Sequence, residues 1–190
     1  MASQPKRLLT AAEYMEIESK AEYKSEFFYG EMYSMAGGSI NHSSIGGNLY
    51  HTLRILLRGT GCMPYNSDTR IAVDTQAHYA YPDVSIVCGN LEKTEGADES
   101  IANPVAIFEV LSPTTERHDR GAKFRSYQTM PSLREYFLIS QDKPLVERFE
   151  RAPGGKWTLS YHEGLDATVP LACAPCEVPL RDIYDSIVFE

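Results

Sequence analysis

The sequence predicts an α/β domain with a mixed central sheet flanked by helices. Residues 41–58 place Ile45, Leu49, Leu53, Leu56 and Leu57 at helical spacing. Three strand-like runs follow at 69–74, 83–88 and 105–111, then a second helix over 119–130 and a strand at 136–139. The run at 105–111 is apolar at every position except Glu109, the pattern of a strand covered on both faces.

The flanking elements come from local signals. Thr10 and Glu13 have the spacing of a capping box and open a short helix carrying Tyr14, Met15 and Ile17. Two runs rich in β-forming residues, 27–29 and 32–35, flank Gly30-Glu31 and predict a hairpin, and Gly59 is a natural stop for the first long helix. In the second helix, Lys123, Tyr127 and Met130 share a face, and Pro131 closes it. Runs at 146–151 and 157–161, joined through Pro153-Gly154-Gly155, predict a second hairpin. A strand fragment and a short helix over 181–184 complete the chain. At 190 residues there is length for one core, so 1–190 is expected to be a single domain.

Composition narrows the function classes. Eighteen Lys and Arg against 26 Asp and Glu give a net charge of -8, which argues against indiscriminate coating of nucleic acid. A local basic strip of Arg117, Arg120, Lys123 and Arg125 is compatible with that balance, and a solvated helix face is its structural alternative. No apolar run approaches the roughly 20 residues of a membrane span, and the first residues lack a signal-peptide pattern, so a cytoplasmic location is expected. A symmetric homodimer is the base-rate expectation for assembly. The four cysteines do not form the framework of a small secreted domain and are expected to be reduced. Cys173 and Cys176 have redox or zinc spacing, but no second Cys pair or adjacent His pair in the sequence completes a zinc set.

Asp83, following Pro82 at the head of one strand, and Glu109, inside another, carry the chemistry. A carboxylate in a buried strand costs several kcal/mol, roughly, unless a cation, hydrogen bonds or a shifted pKa compensates. Two such carboxylates followed by a helix bearing Lys123 are the ingredients of a magnesium-dependent phosphodiesterase. Magnesium takes hard oxygen ligands and lowers the pKa of its bound water, and a nearby ammonium can orient that water. Ile107 and Leu111 share Glu109's side of its strand, so the competing structural reading is an internal ion pair between Glu109 and Lys123.

The order helix, strand, strand, strand, helix, strand resembles the restriction-endonuclease-like fold of the PD-(D/E)xK nucleases, and within them the Uma-type family. The resemblance rests on Gly30-Glu31, His42, Tyr81-Pro82-Asp83-Val84, Phe108-Glu109-Val110-Leu111-Ser112-Pro113, Asp119-Arg120-Gly121-Ala122-Lys123-Phe124 and Pro131-Ser132-Leu133-Arg134-Glu135-Tyr136. It implies metal-dependent hydrolysis of nucleic acid, with DNA expected, by Asp83, Glu109 and Lys123. Magnesium, or manganese in its place, would be held by Asp83, Glu109 and the Val110 carbonyl. Glu31 and His42 would be auxiliary. The common superfamily pattern has its lysine two residues after the glutamate, where this chain has Leu111, and Lys123 is the substitute. The alternative is a catalytically inactive nucleic-acid or protein-binding module on the same fold.

Overall fold

The Thr10 hydroxyl accepts from the Glu13 amide while the Glu13 carboxylate accepts from the Thr10 amide, so the capping box opens α1 (Ala11–Glu18) as predicted. The structure, a computed structural model, describes residues 7–35, 37–95 and 99–189. β1 (Ser25–Phe28) and β2 (Glu31–Ser34) then pair around a two-residue turn, Tyr29-Gly30, with φ of 47° and 91°. The turn lies one residue earlier than the sequence signal placed it. Both positions are left-handed, the geometry whose twist matches paired strands. A Cβ at Gly30 would lie 2.7 Å from Leu8 Cβ, so Gly30→Ala is expected to destabilise the domain by about 1–2 kcal/mol in urea unfolding.

The Ser39 hydroxyl caps α2 (Ile40–Leu56), after which come β3 (Cys62–Asn66), β4 (Ile71–Asp74), β5 (His78–Ala80), β6 (Val84–Cys88) and β7 (Ala106–Val110). The second helical region is broken into α3 (Glu116–His118), a π-helical turn (Asp119–Lys123) and α4 (Phe124–Tyr127). The C-terminal part holds β8 (Glu135–Ile139), β9 (Leu145–Arg151), β10 (Trp157–Glu163), β11 (Thr168–Pro170), β12 (Glu177–Pro179) and α5 (Leu180–Ile183).

Six strands form the central sheet in the order β10-β9-β8-β7-β6-β3, with β7 and β8 parallel and the other neighbours antiparallel. The run expected as its first strand, 69–74, instead contains β4 and joins a second sheet, β2-β1-β5-β4. Its place in the central sheet is taken by β3. Pro64 masks that strand in the sequence, and β3 sits at the sheet edge, where a proline is tolerated.

Alternation along the strands divides the core. Val84, Ile86, Ala106, Phe108, Val110, Phe137 and Ile139 face Ile45, Leu49 and Leu53 of α2, and the parallel register stacks Phe108 on Phe137 with ring centres 4.2 Å apart. Ile107, Leu111, Tyr136 and Leu138 face Phe124, Tyr127, Met130 and Leu133 on the other side. Glu109 belongs to this second face, between Ile107 and Leu111. The small sheet packs Phe27 and Tyr79 on Tyr14 of α1. No helix among the described residues is long and apolar enough to cross a membrane.

The expectation of four reduced thiols is corrected. Cys62 and Cys88 stand directly opposite in the β3–β6 ladder and are joined by a disulfide, leaving Cys173 and Cys176 free. The two cysteines are 26 residues apart in sequence, and only the strand register makes them neighbours.

Candidate functional site

Glu109 is only 5% exposed because its strand is central and covered on both faces. Its Oε1 forms an ion pair with Lys123 Nζ at 2.9 Å and accepts from the Tyr127 hydroxyl at 3.0 Å. Asp83 stands where β6 and β7 cease to pair, one residue before the last register partners Val84 and Phe108. There its Oδ2 accepts from the Val110 amide at 2.7 Å, so the side chain replaces a ladder bond and brings Asp83 beside Glu109.

The π-turn sets Lys123. An extra residue in the turn shifts the phase of the helix, and such turns recur at functional sites. Lys123 points at the sheet, 5% exposed, with Glu26 Oε1 at 3.0 Å and Asp119 Oδ1 at 3.8 Å besides Glu109. Glu26 reaches in from β1, where alternation turns Phe27 into the small core and Glu26 away from it, and the Tyr81 amide donates to its Oε1 at 3.0 Å. Four carboxylates, Glu26, Asp83, Glu109 and Asp119, thus line one cavity with a single ammonium, Lys123, among the described residues. The cavity is about 540 Å³, and Val110, Tyr33, Ser112 and His118 also line it.

The electrostatics follow from this imbalance. Burial, then repulsion from Asp119, Asp83 and Glu26, pushes Glu109 well above the usual carboxylate range despite Lys123. Burial also raises Asp83, against the pull of His42 and of the Val110 amide. Glu26 is buried too, but Lys123 and the Tyr81 amide outweigh burial and hold it low. Burial alone would depress Lys123, yet Glu109, Glu26 and Asp119 hold its ammonium well above the ordinary lysine range. Lys123 is therefore a fixed cation at neutral pH. The donor set suits a hard divalent ion, since carboxylate oxygens outnumber the positive charge and a doubly charged cation would offset the surplus.

Glu109 gives a pH test. A carboxylate raised in the folded state binds more protons folded than unfolded, so its contribution to stability is complete below the unfolded value and is lost as pH rises through the folded one. His78 works in the opposite direction, because burial and then Lys123 push its imidazole down to about 3, so acid favours the unfolded chain. A difference between variants cancels that contribution. The melting temperature of metal-free Glu109→Gln minus that of wild type is expected to increase as pH rises above the ordinary glutamate range, read by calorimetry.

The structure brings Asp83, Glu109, Val110 and Lys123 to one cavity. His42 approaches from α2, with Nε2 3.5 Å from Asp83 Oδ2. A Cβ at Gly38 would fall 2.8 Å from His42 Nδ1, so this close approach needs a glycine. His42 and Asp83 also line a second cavity of about 440 Å³ with Lys24, Gly46 and Gly47, and Asp83, Met35, Gly37 and Gly38 line both hollows. Glu31 lies outside both, on β2, accepting from the Tyr33 hydroxyl at 2.5 Å.

The candidate basic strip is divided: Lys123 turns inward, while Arg117, Arg120 and Arg125 are exposed, the solvated face that was its alternative, with Arg120 held by Glu147 at 2.6 Å and Glu116 at 2.7 Å. Sequence reasoning missed Glu26 and Asp119 as members of the cluster. Asp119 carried a signal, its i,i+4 spacing to Lys123. Glu26 carried none, because a glutamate beside a hairpin usually meets water.

Comparison with known proteins gives consistent relatives. The model of the Uma2 family, described as "Putative restriction endonuclease", matches residues 11–180. Two uncharacterised proteins of Synechocystis are similar along most of their length. One, slr1290, is 35% identical over 164 residues, 86% of this chain and 85% of the relative. The other, sll1609, is 34% identical over 163 residues, 86% of this chain and 92% of the relative. A crystal structure described as "a putative nuclease belonging to DUF820", from Anabaena variabilis, superposes with a TM-score of 0.76 at 17% identity, covering 95% of this chain and 99% of that one. At that identity the likeness shows the fold, which is restriction-endonuclease-like.

Proposed function

The chain belongs to the Uma2 family, and from that premise we propose that it is a metal-dependent nuclease that hydrolyses phosphodiester bonds in DNA. The observation that supports this best is the convergence of three carboxylates, Glu26, Glu109 and Asp119, on one buried lysine, with Asp83 in the wall of the same open cavity. Asp83, Glu109 and the carbonyl of Val110 would hold magnesium. Bound there, the ion would lower the pKa of a coordinated water and offset charge on the phosphoryl oxygens.

The side chains divide the remaining work. Lys123, fixed as an ammonium, cannot take a proton from water at neutral pH; its third N–H, the one not in close contact with Glu26 or Glu109, would orient the attacking oxygen, and its charge offsets developing negative charge. Tyr127 keeps one oxygen of Glu109 in place, and the Val110 amide does the same for Asp83. Glu26 and Asp119 hold Lys123 on two further sides, which fixes the direction of its N–H bonds. The two hollows share Asp83, Met35, Gly37 and Gly38 in their lining and would offer a path for a strand to cross the site.

One observation favours a second reading, a binding module without turnover: the Glu109–Lys123 pair and the Asp83 bond to Val110 satisfy the cluster as structural contacts would. Calorimetric titration with magnesium and manganese, with cleavage of supercoiled and single-stranded DNA followed on gels, separates the two. The nuclease reading expects metal binding and metal-dependent cleavage. Absence of divalent-metal heat at millimolar concentration, with no cleavage, supports the module.

A further inference from the structure

Three cysteine sulfurs, those of Cys62, Cys88 and Cys173, meet at the end of the central sheet away from the carboxylate site, and Cys176 follows on the same loop as Cys173. Asp83 precedes β6 and Cys88 closes it, so the length of that strand separates the two clusters. Cys62 opens the neighbouring edge strand and pairs with Cys88 in register. The loop between β11 and β12 lies over this pair, and the Cys173 carbonyl is 3.6 Å from Cys62 Sγ and 4.0 Å from Cys88 Sγ. The sulfurs of Cys62, Cys88 and Cys173 all lie within 4.8 Å of one another. Cys176 is carried on the same short loop, which is closed by the Leu171 amide donating to the Cys176 carbonyl at 3.1 Å and the Cys176 amide donating to the Ala174 carbonyl at 2.8 Å.

We propose that, when reduced, these four cysteines form a zinc site that fastens the β11–β12 hairpin to the ends of β3 and β6. Zinc takes thiolates at about 2.3 Å in a tetrahedron, so its sulfurs stand about 3.8 Å apart. Two of the three sulfurs are held together by the disulfide and the third lies within 4.8 Å of both, so reduction would leave all three within reach of that spacing. The fourth ligand, Cys176, completes a C-x-x-C pair, the loop spacing of structural zinc sites. The strand register supplies the second pair that the linear sequence lacks.

Redox exchange between the Cys173 thiol and the disulfide is the competing use of the same atoms. Burial, then the nearby Glu135 carboxylate, pushes the Cys173 thiol up to about 12, which leaves it a poor attacking group at neutral pH. A bound cation reverses that disadvantage by stabilising the thiolate. Electrons and protons balance as follows: a dithiol reductant gives two electrons and leaves as its own disulfide, Cys62 and Cys88 become thiols, and Zn²⁺ then binds four thiolates while four protons go to solvent. The disulfide and the zinc site are thus alternative ties for the same strand ends.

The test uses the full chain reduced with a phosphine, which does not compete strongly for zinc, then loaded and desalted. One zinc per chain more than in Cys173→Ser is expected by plasma mass spectrometry, with a substoichiometric excess in Cys176→Ser. Cobalt in place of zinc is expected to give the intense sulfur-to-metal absorption of a tetrahedral thiolate site, which metal held at the carboxylate cluster would not give. That spectrum decides the matter in wild type even if a serine variant fails to fold. Reduced wild type that takes up no thiolate-bound cobalt or zinc overturns the proposal, and so does a Cys62–Cys88 disulfide that persists under the reductant.

Discussion

Lys123→Ala is expected to lower the stability of the metal-free domain by about 3–5 kcal/mol, the usual cost of removing one partner from a buried ion pair. The geometry makes this loss asymmetric. Among the described residues Lys123 is the only ammonium beside the four carboxylates lining the cavity, and it touches Glu109 and Glu26 at 2.9 and 3.0 Å. Without it, Glu109 keeps the Tyr127 hydroxyl and Glu26 keeps the Tyr81 amide, but neither keeps a cation in contact among the described residues. Glu109→Gln differs, because Lys123 retains Glu26 and Asp119. That variant is expected to be as stable as wild type or slightly more so, since it removes a desolvated charge. A large drop for Glu109→Gln in urea unfolding would favour the structural reading of the pair.

The same lysine variant tests chemistry. Lys123→Ala should reduce turnover far more than it weakens metal or DNA binding if the ammonium acts mainly on the reacting water. Leu111 lies on the same side of its strand as Glu109, buried in the cluster with Phe124 and Tyr127 of α4. A lysine there would bring an ammonium back to Glu109, so Lys123→Ala with Leu111→Lys is expected to recover part of the activity. The added charge displaces a core side chain, which limits the recovery. Equal activity of wild type and Lys123→Ala would remove the lysine from the mechanism.

How much of this was legible depends on whether a residue's environment was local. Glu109 was readable because apolar neighbours on both alternating faces forced it into a buried strand. Lys123 was readable because Tyr127 and Met130 marked the inward face of its helix. The helices α1 and α2 announced themselves through caps and periodicity. Glu26 was not readable, since its burial comes from the small sheet docking against the π-turn, a contact between residues 97 apart. β5 escaped notice because three residues, one of them a histidine, carry too little pattern, although His78 is buried with Nδ1 2.7 Å from Ser126 Oγ and its ring stacked on Tyr127. The partition of strands between two sheets and the meeting of Cys62 with Cys88 both depend on register, which no single segment encodes.

Asp83→Asn is expected to abolish magnesium-dependent cleavage, with a loss of at least about 100-fold. Removing an outer-shell partner of a metal ligand costs about 10- to 100-fold in affinity or activity, and a direct ligand should cost no less. The substitution preserves shape. The carbonyl of the introduced amide side chain can still accept from the Val110 amide, so the end of the β6–β7 ladder should hold and the fold should persist. It removes one of the four negative charges, which relieves the repulsion acting on Glu109. Apo stability should therefore stay level or rise while metal binding falls, and the two quantities part company. Calorimetric metal titration and thermal unfolding on the same preparation read both. A variant that binds magnesium as wild type does would take Asp83 out of the metal set and leave it as the cap of a strand. A variant that loses binding only by unfolding would show that the Val110 contact needs the full carboxylate, because charge-assisted hydrogen bonds are about twice as strong as neutral ones.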